Sequence, residues 1–229
     1  IAPFVLVIGS FLFLFSRKQS HRHLGEAIFG FGALFFGLYL MEFSLKTLSD
    51  VQGFVNFIDN LEGNPLLGVA VGAAGSAAIQ SSSAFIGILQ GLAASTDGFS
   101  LQVILPLLFG SNIGTTITAI FASLGSSKSA KRASLVHIIF NVFGTTLFML
   151  LLTPYARLLD GIFDLMHINV KMQIAVSRII FNVVTVDLLL PFVFLLARIA
   201  TKLIPVDDME FVDEIDLHEL ERNVVELAP

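Results

Sequence analysis

Two short helical arms flank a polar run in the first half of the chain. Residues 66–79 contain only Leu, Val, Ala, Gly, Ile and one Ser, and residues 84–94 are apolar apart from Gln90. As helices, these arms would be about 21 Å and 16 Å long. Neither would cross a hydrocarbon core of about 30 Å. The pattern therefore predicts a re-entrant helical hairpin, with Gln80-Ser81-Ser82-Ser83 at its tip.

A second polar run interrupts a longer apolar stretch. Residues 101–124 are long enough to span a bilayer, and Gly110-Ser111-Asn112-Ile113-Gly114-Thr115-Thr116 lies near their middle. Glycine lets the backbone leave helical geometry, and Ser, Asn and Thr offer hydrogen-bonding groups. The run predicts a broken transmembrane helix, and a hairpin tip beside such a break is typical of secondary transporters. Tight helix packing is the alternative, because small residues and hydroxyls also line helix interfaces in membranes.

The remaining apolar segments predict further spans. Residues 1–203 form an all-α polytopic transmembrane domain, with spans at about 1–16, 24–48, 101–124, 133–153 and 173–203 and the hairpin at 64–95. The basic clusters at residues 17–23 and 128–132 belong on the cytoplasmic side. Residues 50–62 carry acids without Lys or Arg and are predicted to be an external loop, as is the mixed-charge segment 155–171.

The composition supports a membrane protein and separates a tail from the spans. Of 229 residues, 55% are hydrophobic and 14% are charged, which is too apolar for a soluble globule. Residues 1–203 hold 12 Lys and Arg against 9 Asp and Glu, whereas residues 204–229 hold one Arg and nine acids. We expect an acidic cytoplasmic tail at residues 204–229. The absence of cysteine excludes disulfides and thiolate metal sites.

The two motifs carry a family resemblance. Residues 80–84 (QSSSA) followed by residues 110–116 (GSNIGTT) resemble the type II sodium/phosphate cotransporter family, in which motifs of this kind occur in each of two inverted repeats. Lys131-Arg132-Ala133, His137 and Phe140-Asn141 are similar to the second repeat. The resemblance covers roughly residues 25–192. It implies sodium-coupled import of inorganic phosphate by a multi-pass protein of the inner or plasma membrane.

The resemblance also bears on the extent of the chain. The family has two QSSS motifs and this chain has one, so we expect it to be one inverted-repeat half. Its partner would be a missing N-terminal repeat or a second copy of the chain, and alone it would not transport. Bacterial members of the family often carry a PhoU-like helical domain after the spans. The acidic tail is either the start of such a domain or a plain solvated segment.

The candidate binding residues follow from the two motifs. We expect phosphate and sodium to be held by Gln80, Ser81, Ser82, Ser83, Ser111, Asn112, Gly114, Thr115 and Thr116. No Lys or Arg lies in either motif, and burying an uncompensated anion is prohibitive. Bound cations held by hydroxyl, amide and carbonyl oxygens would neutralise it, and the resemblance implies Na⁺ as the coupling ion, with no other cofactor. Ser83, and Thr115 or Thr116, are predicted to be helix N-caps.

Five further polar residues lie on the later predicted spans: His137, Asn141, Arg178, Asn182 and Asp187. The first four form two pairs spaced four residues apart, each on one helix face. They either form hydrogen bonds between helices or contact the ligand directly. Asp187 lies mid-span, where a charge costs roughly 2.5 to 3.5 kcal/mol. It is out of phase with Arg178, so it needs another partner, a proton or water.

Two other function classes stay open at this point. A membrane sensor would report phosphate occupancy through the tail without transporting it. An intramembrane serine hydrolase would use one serine of the triple run with His137 as base, although the chain has no G-x-S-x-G elbow. We expect no enzyme, and we expect phosphate, sodium ions and the lipid bilayer, but no nucleic acid, as partners.

The charge pattern predicts the orientation in the membrane. Single cysteines introduced as Val55→Cys and Lys128→Cys should react with an impermeant maleimide from opposite sides, because position 128 lies in a basic cluster and position 55 in an acidic segment. The natural chain has no cysteine, so the unmodified protein is the labelling control. Labelling of both positions from the same side would contradict the orientation.

Overall fold

The computed structural model describes residues 2–45, 51–95 and 99–205, without the side chains of Glu42 and Leu45. The regular secondary structure of this part is helical throughout. The predictions for Asp50, for the return of the hairpin at residues 96–98 and for the acidic tail beyond residue 205 lie outside the described residues.

The helices of the described ranges follow one another with short connections. They are α1 (Ala2–Phe15), α2 (Gln19–Leu45), α3 (Gln52–Gly63), α4 (Pro65–Ile79), α5 (Ser82–Ser95), α6 (Leu101–Ser123), α7 (Lys128–Leu150), α8 (Leu152–Met166), α9 (Val170–Leu189) and α10 (Val193–Leu203), with a 3₁₀ turn at Leu190–Phe192. Four described stretches are long and apolar enough to cross a membrane: Gln19–Met41, Leu101–Ser123, Lys128–Leu150 and Val170–Leu203. The predicted all-α membrane protein is confirmed.

The predicted pair of short helices is present as α4, with 15 residues, and α5, with 14 residues. Asn64 begins α4, because its side chain accepts a hydrogen bond from the Leu67 amide at 3.2 Å and Pro65 occupies the first helical position. Gln80 ends α4 in the left-handed region, with φ 56° and ψ 23°. This residue turns the chain back, so that α5 starts two residues later. We call α4, α5 and the residues between them the hairpin, and residues 80–83 its tip.

Glycines bring α4 and α6 into main-chain contact. A Cβ atom added at Gly72 would collide with the carbonyl of Leu107, and one added at Gly110 would collide with the carbonyl of Val69. Gly114 lies in the same way against the last turns of α4. Residues later in α4 contact residues later in α6, so the two helices run parallel. The second motif, residues 110–116, is therefore pressed against the arm that leads to the hairpin tip.

The predicted break in α6 is wrong. Residues 101–123 form one continuous helix through Gly110 and Gly114, and even Pro106 lies within it. The glycines serve close approach to α4 instead of unwinding, which is the packing alternative raised from the sequence. In apolar sequence, a glycine that admits a neighbouring backbone and a glycine that breaks a helix look alike.

Two predicted loops are also wrong, because residues 52–63 form α3 and residues 152–166 form α8. Both helices are amphipathic: α8 buries Tyr155, Leu159 and Phe163, four residues apart, while its charged side chains stay outside. The charges that suggested loops lie on the outer faces of these helices. The helical spacing of the apolar residues indicates these two helices, but the charged residues between them suggested loops.

An aromatic cluster holds α6, α7, α8 and α9 together. Phe109 lies with its ring centroid 5.0 Å from that of Phe181 and 5.6 Å from that of Phe148, and Tyr155 lies 4.9 Å from Phe148. The Thr145 hydroxyl donates to the carbonyl of Phe109 at 3.0 Å, which ties α7 to α6 just before the second motif. This cluster fixes the side of α6 opposite to the hairpin.

The helix pair at the start of the chain joins the hairpin from another side. Close packing of α1 on α2 occurs at Gly9 and Gly25, where an added Cβ would meet the main chain of the other helix. On α5, Gly87 lies against Leu38 and Met41 of α2. The hairpin is thus enclosed by α2, α6 and α9, the last of which contacts α5.

The glycine contact predicts opposite effects of one substitution at two sites. Gly110→Ala should lower the unfolding temperature in detergent, because overpacking costs roughly 1 to 3 kcal/mol. Gly161→Ala on α8 is the matched control, since nothing lies within 4 Å of its added Cβ. It should raise stability slightly, by about 0.5 to 1 kcal/mol, through reduced unfolded-state entropy. Thermal circular dichroism measures both, and an equal response of the two variants would contradict the contact.

Candidate functional site

The hairpin tip presents polar groups where two short helices end. Gln80 and Ser83 are exposed, and Ser81 and Ser82 are half-buried. The Ser81 hydroxyl accepts a hydrogen bond from the Ala84 amide at 3.3 Å. Ser81 is therefore the N-cap of α5, and the prediction that Ser83 takes this role is wrong by two residues. Because Ser83 is not needed as a cap, its hydroxyl is available at the tip.

Arg178 reaches the hairpin tip from α9. Its Nη2 donates to the Ser82 hydroxyl at 2.8 Å, and its Nη1 donates to the Ser82 carbonyl at 3.2 Å. At the other end of the same contact, Gln90 Nε2 donates to the Lys171 carbonyl at 2.8 Å, so α5 and α9 run antiparallel. Neither motif contains a cation, but the fold brings one to the first motif from 96 residues away.

The donor groups of the polar side chains in the second motif are paired within α6. The hydroxyls of Ser111, Thr115 and Thr116 donate to carbonyls three or four residues earlier, at 2.7 to 2.8 Å. Asn112 Nδ2 donates to the Leu108 carbonyl at 3.2 Å. Thr115 and Thr116 are therefore not N-caps, because no helix begins there. Because these donors are paired with carbonyls of the same helix, their pairing is compatible with a continuous α6.

The two motifs meet through α4. A Cβ atom added at Gly114 would lie 2.9 Å from Ser76 Cβ and 3.0 Å from the Ala77 nitrogen, one turn before the hairpin tip. Within the described residues, no hydrogen bond joins residues 80–83 to residues 110–116. The fold thus makes the motifs neighbours, and the assignment of Gln80, the serines and the second motif as ligands stays a prediction.

The surrounding polar residues are placed differently from one another. Asn141 is buried on α7, and its Nδ2 donates to the carbonyl of His137 at 2.9 Å, so this pair is joined through the main chain. Asn182 is half-buried on α9, one turn after Arg178. Asp187 is exposed, and no ion pair with Arg178 or any other described residue involves it. The expectation that Asp187 and Arg178 do not pair agrees with this arrangement.

Three buried hydroxyls escaped the sequence analysis. Ser76, Ser177 and Thr185 are fully buried, and their hydroxyl oxygens have no hydrogen-bond partner in the part of the chain that the structure describes. Ser76 lies against Gly114, and Ser177 immediately precedes Arg178. An unpaired buried polar group is costly and calls for an explanation. Ser76 lies four residues before Gln80, on the same helix face, and that spacing was the available signal.

A family model matches most of the chain. The model of the Na⁺/Pi-cotransporter family matches residues 1–43 and 44–177. The chain belongs to the Na⁺/Pi-cotransporter family. This family is one of transporters, which confirms the expectation that the chain is not an enzyme.

Longer proteins of bacteria and of humans are similar to this family member. YqeW of Bacillus subtilis is 33% identical over 90% of this chain and 65% of its own length. The "Putative inorganic phosphate export protein YjbB" of Salmonella typhimurium is 25% identical over 89% of this chain and 37% of its own length. Human "Sodium-dependent phosphate transport protein 2C" is 42% identical over 40% of this chain and 16% of its own length. No solved structure matches the chain.

Proposed function

We propose that the full-length protein is a sodium-coupled secondary transporter that imports inorganic phosphate across a cell membrane, with the acidic tail in the cytoplasm. The observation that carries this proposal is the hairpin, whose QSSS tip lies between two helices too short to span and whose first arm is pressed against the GSNIGTT segment. Phosphate and sodium bind between these two elements.

The hairpin tip offers groups suited to an oxyanion. The hydroxyls of Ser82 and Ser83 and the amide of Gln80 are hydrogen-bond donors, and the first turn of α5 adds main-chain amides and the positive end of its dipole. A helix N-terminus contributes about half a positive charge. Phosphate carries between one and two negative charges at neutral pH, so the tip alone leaves negative charge uncompensated.

Sodium compensates this charge through oxygen ligands. Among residues 2–45, 51–95 and 99–205, the Ser76 hydroxyl is buried without a partner one turn before the tip, and Asn112 Oδ1 accepts no hydrogen bond. Hydroxyl and amide oxygens suit a hard cation. Because each ion neutralises the other, each raises the affinity for the other by the same factor. That reciprocal coupling is what makes transport of phosphate depend on sodium.

Export of phosphate is the second candidate direction. The YjbB relative, which matches 89% of this chain, is named for phosphate export, whereas the human relative named for sodium dependence matches 40%. A coupled symporter runs in the direction of the summed ion gradients, so an inward sodium gradient drives import. An exporter would instead move phosphate outward, and an inward sodium gradient would not slow this efflux.

Reconstitution of the full-length protein in liposomes tests the proposal. Uptake of radiolabelled phosphate should rise when external sodium replaces choline, and phosphate should no longer accumulate above its external concentration when sodium is equal on both sides and the membrane potential is zero. Efflux from phosphate-loaded liposomes, unaffected by external sodium, would support export instead. Absence of flux in both directions, from protein shown to be folded, would contradict transport altogether.

Alanine substitution at the hairpin tip tests the site. Ser82→Ala and Ser83→Ala remove a ligand without removing needed volume, and each should weaken apparent affinity by roughly 5- to 150-fold, the equivalent of 1 to 3 kcal/mol. Ser81→Ala also removes the cap of α5, so its folding needs a separate check. The measurement is phosphate uptake against phosphate and sodium concentration at matched expression.

Ser10→Ala is the matched control for these variants. Ser10 lies on α1, and its hydroxyl donates to the Leu6 carbonyl of its own helix at 2.8 Å. This variant should keep wild-type affinity for both ions. Wild-type affinities in Ser82→Ala and Ser83→Ala would instead mean that the tip is a packing motif.

A further inference from the structure

Arg178 is a cation within an apolar helix and has no acidic partner among the described residues. It lies in the Val170–Leu203 stretch that is long enough to cross a membrane, and its hydrogen bonds within the described part of the chain are to Ser82. Asp187 is the one acidic residue of that stretch, and it is exposed and unpaired with Arg178. Charged residues in membrane spans are costly and mark functional positions.

The hydrogen bonds to Ser82 do not need a charge. A hydroxyl and a carbonyl also accept hydrogen bonds from a neutral amide, and Asn182, one turn further on, shows that α9 carries such side chains. Arginine has five N–H donors, of which the contacts with Ser82 use two. The half-buried guanidinium therefore keeps donors and a full positive charge at the edge of the hairpin tip.

We propose that Arg178 supplies a resident positive charge to the anion bound at the hairpin tip, and that it thereby sets how strongly phosphate binding depends on sodium. This inference rests on the proposed function. The planar guanidinium presents two parallel N–H groups to an oxyanion, a geometry that suits phosphate. Held by Ser82 on one side, the side chain is already oriented before the anion arrives.

The resident charge acts on the two ions with opposite sign. It attracts phosphate and repels sodium, since both bind at the same tip. Removing the charge should therefore weaken phosphate binding and strengthen sodium binding in the absence of phosphate. A residue that only joins α5 to α9 would behave differently. Its loss would loosen the tip and lower the affinity for both phosphate and sodium.

Three variants of the full-length protein separate charge from hydrogen bonding. Arg178→Gln keeps a donor for Ser82 and loses the charge, whereas Arg178→Lys keeps the charge and loses the paired N–H geometry. Arg157→Gln is the matched control, because Arg157 is an exposed arginine on the outer face of α8. Calorimetric titration with sodium phosphate, and with sodium chloride alone, gives the two affinities, and thermal unfolding reports the fold.

We expect Arg178→Gln to weaken phosphate binding about 10- to 100-fold at saturating sodium, as for loss of a charge-assisted hydrogen bond. The same variant should bind sodium alone more tightly, on the order of several-fold, because a like charge is gone. Arg178→Lys should keep the sodium affinity of the wild type and should weaken phosphate binding less than Arg178→Gln does. Arg157→Gln should change neither affinity.

Two results would overturn the inference. One is a loss of both affinities in Arg178→Gln with unchanged unfolding temperature, which would make Arg178 a tether. The other is unchanged phosphate affinity in that variant. Failure of the wild-type protein to bind phosphate at any sodium concentration would instead count against the proposed function itself, so the two failures are distinguishable.

Discussion

The structure depends on one constraint, that main-chain polar groups inside a bilayer must be paired by protein. The hairpin breaks this pairing at Gln80 and Ser81, where one helix ends and another begins. Such a break is tolerated at membrane depth only if other helices or a water-filled cavity surround it. The glycine contact between α4 and α6 holds a second helix against the arm that leads to this break, because it brings two main chains closer than any side chain would allow. The proposed site follows from the same contact.

Much of the hairpin could be predicted from the sequence, because the lengths of its two apolar arms are incompatible with spanning. The continuity of α6 could not. Gly110 and Gly114 are equally compatible with a break and with close approach, and the deciding fact is that Val69 and Ala73 lie against them. Val69 and Ala73 lie on α4, so the sequence of α6 alone could not decide between the two. The prediction of loops at α3 and α8 was wrong for a related reason. It considered the charged residues of these segments and not the apolar residues that the helices bury.

For the candidate site, the local motifs were recognisable and the long-range partners were not. The two motifs alone indicated the family to which the chain belongs. The charge balance inferred from the motifs was incomplete, because the cation nearest to Ser82 comes from α9. Ser76 could not be singled out from the sequence, because a serine among alanines is unremarkable until the fold shows that no described residue pairs with its hydroxyl.

The last helical stretch has a consequence for the lipid around the protein. Its 34 residues, Val170–Leu203, measure about 51 Å at 1.5 Å per residue, against a hydrocarbon core of about 30 Å. The excess is absorbed by tilting, by emergence from the bilayer or by bending at the 3₁₀ turn, where Pro191 lies. At the far end, Arg132 Nε donates to the Ile204 carbonyl at 2.9 Å and fixes α10 to the start of α7. To the extent that bending absorbs the excess, bilayer thickness acts on the angle between α9 and α10 at this proline-containing turn.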